Sequence, residues 1–238
     1  MPLFDLFGLT PRRALVIAPH ADDEVLGAGG LIGRASAGGW EIHVLYATIS
    51  GYLSIVRGDV SQTDTRTAEV EAALKVLGVA SYEALFLGET HHLRLDAVPQ
   101  SDLIQFIEKW VAKLSPSLVV MPCRGHYHQD HRAVADACVA ALRPAPDGRL
   151  PFVPMVLAYG HAAAGWGGSY YDFNPSVFVD ITEVIEIKIQ ALRCYQSQIC
   201  DSPHPRSLES VRNLSAAWGN FAGVTYAEPF ECLRFAVL

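Results

Sequence analysis

Short apolar runs of strand length alternate along this chain with longer runs of helical period, and this alternation is the strongest restriction on its fold. Strand-like runs occupy residues 13–18, 41–48, 84–87, 118–122 and 153–159, and helical runs occupy 24–37, 64–77, 101–114 and 131–142. Strands that read as continuous apolar stretches and are separated by helices belong to a parallel sheet covered on both faces. A last strand at 177–180 leads into a helix expected over 181–198, with Thr182 as its N-cap. Pro144, Pro146, Gly148, Pro151 and Pro154 mark a loop, and 162–169 is too rich in Gly and Ala for a regular element. The segment 226–238 receives no assignment. At 238 residues, half of them hydrophobic and 18% charged, the chain suffices for one large core. The expectation is a single α/β domain over residues 1–238.

The first strand ends in Ala18-Pro19-His20-Ala21-Asp22-Asp23-Glu24, one imidazole and three carboxylates within five positions. The turn lies between a buried strand and a helix, where open α/β sheets bind ligands beyond the carboxyl ends of their strands. His20 and Asp23 are three apart, so a helical first turn lets them converge. The strand at 118–122 ends in Gly125-His126-Tyr127-His128-Gln129-Asp130-His131, where His128 and His131 repeat that spacing. Two neighbouring strand ends that each offer imidazole and carboxylate could share a divalent ion with a position left open for water. Imidazole and carboxylate without thiolate suit zinc, with iron, cobalt or manganese as other candidates. Each motif alone has a plainer explanation, because acidic residues in a first helical turn complement the helix dipole. The pair together favours the ion.

A net charge of −7 and a pI near 5.7 give no electrostatic reason to bind nucleic acid or an anionic membrane. No apolar run reaches membrane-spanning length, so no membrane insertion is expected. Cys123, Cys138, Cys194, Cys200 and Cys232 are odd in number and lack Cys-x-x-Cys spacing, which disfavours a disulfide framework. The start, Met1 to Phe7, lacks the pattern of a secretory signal, and the expected location is cytoplasmic. A homo-oligomer is left open.

Pro-His-Ala-Asp-Asp-Glu followed much later by His-Gln-Asp-His resembles the signature of the PIG-L/LmbE-like zinc-dependent N-deacetylases. Arg66-Thr67-Ala68-Glu69, Val179-Asp180-Ile181-Thr182, Lys188 with Ala191, Ser197-Gln198 and Tyr226-Ala227-Glu228-Pro229-Phe230 are similar to lesser features of that family. The resemblance runs over nearly the whole chain. It implies a Rossmann-like three-layer sandwich with a mostly parallel sheet. It also implies one Zn2+ per chain on His20, Asp23 and His131, with Asp22 as general base. His128, hydrogen-bonded to Asp130, would be the electrophilic or general-acid partner, and Arg66 would reach a polar or anionic part of the substrate. The implied activity is removal of an acetyl group from an N-acetylated substrate of the N-acetylglucosamine type by activated water.

Ala21 stands where the family commonly has proline, which should loosen the turn without removing chemistry. His91 and His92, in a loop that departs from the family pattern, read as solvent-exposed loop residues. The loop 52–63 with Arg57 and Asp59, the loop 161–171 with Trp166, Tyr170 and Tyr171, and His204 are candidates for the substrate walls. The rival readings are an amidase for a larger conjugate and a non-catalytic sugar- or nucleotide-binding domain. Acidic residues at a helix N-terminus repel phosphate, which weighs against the nucleotide.

Overall fold

The computed structural model describes residues 9–53, 60–88, 91, 93–145, 148–161 and 172–237. Its centre is a seven-stranded sheet built on β1 (Arg13–Ala18) and its two parallel neighbours, β2 (Glu41–Ile49) and β6 (Leu118–Pro122). Val16 pairs with Val44 on one side and with Val120 on the other. Outside these lie β5 (Ser81–Leu87), parallel to β2, and β7 (Met155–Tyr159), parallel to β6. The far edge turns antiparallel, because β9 (Ala227–Phe235) returns between β7 and β8 (Val177–Asp180). A short hairpin of β3 (Tyr52–Leu53) and β4 (Val60–Ser61) stands apart from the sheet.

Successive strand residues point to opposite faces, so β1 feeds two cores. Ala14, Val16 and Ala18 pack beneath α1 (Asp23–Ala37), α2 (Thr63–Leu77) and α5 (Ile185–Arg193). Leu15 and Ile17 pack against α3 (Gln100–Leu114) and α4 (Gln129–Ala141). In α3 the buried residues Leu103, Phe106, Ile107, Trp110, Val111 and Leu114 follow the spacing of a single helical face. The result is the three-layer α/β sandwich expected from the sequence, with a mostly parallel sheet.

The polar chemistry of the second half binds it to the first. Inside α1, Glu228 of β9 accepts from the backbone N–H groups of Gly30 and Leu31, both at 2.7 Å. Lys188 of α5 donates to Leu26 O at 3.0 Å and lies 2.6 Å from Glu228 Oε1. This buried ion pair therefore serves donors and an acceptor of one helical turn. Gly30 makes room for it, since a Cβ there would sit 2.5 Å from Ile181 Cγ2 and 3.0 Å from Glu228 Oε1.

Several sequence expectations need correction. The helix expected over 181–198 is confined to Ile185–Arg193, and Thr182 is not its cap. The Thr182 N–H donates to Asp180 Oδ1 and its hydroxyl accepts from Tyr226 N, so both groups serve the β8 turn. The helix α6 (Leu208–Ala222), capped by Ser207 accepting from Ser210 N, has no counterpart in the sequence reading. The unassigned tail contains β9. Helix α4 starts at Gln129 rather than His131, which places His131 inside its first turn. The loop 162–169 lies outside the described residues.

Candidate active site

Pro19 to Asp22 form the turn between β1 and α1, and the turn is held under strain. Asp22 adopts φ 109°, ψ −25°, a left-handed conformation that non-glycine residues seldom take, at a cost on the order of 1–3 kcal/mol. Its side chain makes no capping bond. A residue present only to cap the helix would bond to the free N–H groups; Asp22 instead turns its carboxylate towards a cavity. Two neighbours hold the turn in place. Glu24 Oε2 accepts from Asp22 N at 3.1 Å, and Arg66 of α2 donates through its Nη2 to the carbonyl of Ala21. Arg66 thus clamps the turn at Ala21.

The partner turn joins β6 to α4. His128 is the N-cap of α4, its Nδ1 accepting from Asp130 N at 3.1 Å, and His126 Nδ1 accepts from His128 N at 3.0 Å. Because β1 and β6 are hydrogen-bonded neighbours, the two turns meet. His20, Asp23 and His131 place one ligand atom each within 4.8 Å of one another. Asp23 Oδ2 lies 3.3 Å from His20 Nδ1 and 3.3 Å from His131 Nε2, and it accepts from His20 N at 2.9 Å. Two imidazoles and a carboxylate, converging without thiolate, fit a divalent ion held by three protein groups with a coordination position open.

Charge is finely divided within this cluster. Burial disfavours a charged His20, but hydrogen bonds to Asp130 and Asp23 outweigh it and raise the ring to about 9. Burial likewise opposes ionisation of Asp23, yet His131, His161 and His20 hold it well below the ordinary carboxylate range. Asp22 is raised, chiefly by burial, against the opposing charge of Arg206. Burial also lifts Glu24 to about 7, where the Tyr195 hydroxyl donates to it. His128 is pushed down to about 4 by burial and by His20.

Above the cluster opens a cavity of about 200 Å³ whose lining includes His20, Asp22, Arg66, His128 and His131. The structure thus brings the seven expected site residues to one place, with Asp23 and Asp130 buried beneath the lining. One expected contact is different. The Asp130 carboxylate does not bond to His128; its Oδ2 accepts from His20 Nε2 at 2.9 Å and its Oδ1 from Leu95 N at 3.0 Å. Asp130 sits in the first turn of α4, so its backbone caps with His128 while its side chain turns back towards β1. Arg66 is no surface pair. It is buried, and besides Ala21 it donates to Glu69 at 2.9 Å and Ser197 at 3.3 Å.

The cavity also has walls that the motifs did not announce. His161, just beyond the end of β7, and Arg206, between α5 and α6, both line it. Arg206 Nη1 donates to Gln198 Oε1 at 3.2 Å and stands 3.8 Å from Asp22 Oδ2. His204, the expected rim residue, is exposed and accepts at Nδ1 from Arg206 N, so it supports the wall without forming it. His91 stacks on Phe86, with ring centroids 3.7 Å apart, away from the lining. His92, Arg57, Asp59, Trp166, Tyr170 and Tyr171 lie outside the described residues.

Comparison with known proteins agrees with this geometry. The diacetylchitobiose deacetylase of Thermococcus kodakarensis is 27% identical over 91% of this chain and 81% of its own. The crystal structure of the N,N'-diacetylchitobiose deacetylase from Pyrococcus horikoshii superposes with a TM-score of 0.73 at 25% identity, covering 97% of this chain and 87% of that one. The 4-carboxy-2-hydroxymuconate hydratase GalB of Pseudomonas putida, at 21% identity and a TM-score of 0.70 over 95% and 98%, shares the fold. Residues 15–142, more than half of the sequence and the part that carries both His/Asp turns, match the PIG-L family of GlcNAc-PI de-N-acetylases, and the chain belongs to that family.

Proposed function

We propose that this chain, read as one domain over residues 1–238, is a metal-dependent hydrolase. It removes the acetyl group from an N-acetylated substrate of the N-acetylglucosamine type and releases a free amine and acetate. The observation that carries this reading is the convergence of His20, Asp23 and His131 at the floor of a cavity, beside a strained and uncapped Asp22. Zinc is the expected ion, one per chain. When bound, it would lower the pKa of water and polarise the amide carbonyl.

The protein's own groups supply the remainder. Asp22 takes the proton of the attacking water, and the strain in its backbone aims the carboxylate at the cavity instead of at the helix N–H groups. His128 accepts at Nδ1 from a backbone N–H, so the ring proton sits on Nε2 and offers a donor to the oxygen that develops charge. Asp130 orients His20 through Nε2. Arg66 stands at the cavity wall to meet a polar part of the substrate while it clamps the Ala21 turn.

The GalB likeness concerns the fold alone, so the case for hydrolysis rests on the site. A cytoplasmic enzyme is in keeping with five unpaired cysteines. Among the described residues no helix is long and apolar enough to cross a membrane. The deciding experiment measures acetate released from N-acetylglucosamine and its conjugates alongside the metal content of the purified protein. One ion per chain with metal-dependent acetate release is expected. Full metal occupancy without acetate from any N-acetylated sugar would transfer the site to another hydrolysis, such as that of a larger amide conjugate.

A further inference from the structure

His161 belongs to none of the motifs, yet it stands behind the metal-ligand carboxylate. The two oxygens of Asp23 face different partners. Oδ2 is turned to His20 and His131, whereas Oδ1 lies 3.4 Å from His161 Nε2. His161 is only 7% exposed, and neither of its ring nitrogens has a well-formed hydrogen bond. An imidazole placed so deeply without partners costs free energy unless the site gives it a task.

A second orphan lies alongside. His126 Nδ1 accepts from His128 N, which places its ring proton on Nε2, and that buried nitrogen has no partner either. The His126 and His161 rings are 5.1 Å apart, and His126 stacks on His131 at 3.9 Å. Nitrogens of His126, His131 and His161 lie within 4.8 Å of one another, a spacing that would also suit an ion. The tautomer argues against an ion. A neutral His126 that bound a metal through Nε2 would carry its proton on Nδ1, where it meets the N–H of His128. A proton on Nε2 instead makes His126 a donor, and the adjacent His161 can supply an acceptor.

On the reading above that His20, Asp23 and His131 hold the metal, we infer that His161 is a positioning residue for Asp23. Its Nε2–H donates to Oδ1 and so reserves Oδ2 for the ion, while His126 Nε2–H favours the tautomer that leaves His161 Nδ1 as acceptor. Hydrogen bonds of this kind to a ligating carboxylate orient it and raise metal affinity. In this arrangement His161 and His126 act through Asp23 and are not ligands of the ion.

The test combines zinc affinity, read by chelator competition, with imidazole tautomers, read by long-range proton–nitrogen correlation spectra of the zinc-loaded full chain. His161→Phe is expected to lower zinc affinity about 10–100-fold with the folded state retained. His161→Gln, whose amide still donates, should recover part of that loss. In the unsubstituted protein His161 should show its proton on Nε2. A proton on Nδ1, zinc affinity undiminished in His161→Phe, or a second zinc equivalent that disappears in that variant would each overturn the inference. The spectra decide the matter even if His161→Phe fails to fold. Absence of stoichiometric zinc from the unsubstituted protein would overturn both this inference and the reading it rests on, whereas undiminished affinity in His161→Phe overturns this inference alone.

Discussion

Lys188 Nζ lies 2.6 Å from Glu228 Oε1, with both side chains almost fully buried against the middle of α1. Removing one member leaves the other charge without compensation in the core. Glu228→Ala should therefore cost about 3–5 kcal/mol of folding stability. Lys188→Met combined with Glu228→Gln should cost less than the sum of the single changes. Urea unfolding monitored by circular dichroism checks both.

Asp22→Asn keeps the size and the strained backbone position of the residue but removes the carboxylate proposed as the base. The variant should hold as much metal as the unsubstituted protein and lose about 10²–10⁴-fold in kcat. Metal content by plasma emission and acetate release measure the two halves separately. Full activity in Asp22→Asn would show that another group takes the proton.

His20→Ala, Asp23→Ala and His131→Ala should each come off the column short of metal, because each removes one of the three converging side chains proposed to hold it. Treatment of the unsubstituted protein with a chelator should abolish acetate release, and added zinc should restore it. Activity that survives complete metal removal would refute the metal-dependent reading.

Metal uptake should depend on pH with a definite sign. In the metal-free protein His20 is raised to about 9, because the hydrogen bonds to Asp130 and Asp23 overcome the effect of burial. Below that pH an incoming ion must displace the ring proton. Zinc affinity should therefore rise with pH, and about one proton should be released per ion bound near neutrality. Proton release in weakly buffered solution, read with an indicator dye, tests this; no release between pH 7 and 8 would show that the ring is already neutral.

Arg66→Lys keeps the charge near Glu69 but replaces a planar fork with a single ammonium. The carbonyl of Ala21 should lose its donor, at a cost of about 1–3 kcal/mol for a buried acceptor. The strained turn should loosen with it. A drop in thermal stability together with lower kcat is the expected result, checked by calorimetry and steady-state kinetics.

The strands β1, β6 and β8 were legible to the residue because their apolar runs are short and bounded by Pro or by polar turns. Helix α6 does carry a signal in the sequence: Ser207 precedes Leu208, Val211, Leu214, Trp218 and Phe221 at helical spacing. Strand β9 was harder to read, since Pro229 and the buried Glu228 disguise an interior strand. In the site, the residues within each turn could be read from local spacing. Arg206 could not, because the chain after α5 brings it there from 75 positions beyond His131, and His161 entered only as the first residue of the loop 161–171, a candidate wall with no role given to the imidazole itself. The Asp130 contact differs from the sequence expectation for a related reason. Sequence neighbourhood suggested His128, and the parallel pairing of β1 with β6 supplied His20.

The return of β9 between β7 and β8 orders the assembly of the molecule. Among the described residues strand β8 has no hydrogen-bonded neighbour in the sheet until residues 227–235 arrive, although both His/Asp turns are complete by His131, 96 residues sooner. A chain still emerging from the ribosome would thus carry a nearly finished floor of the candidate site next to an open sheet margin, exposed to self-association. Shielding that margin until the last segment is made becomes a requirement for expressing this protein in quantity.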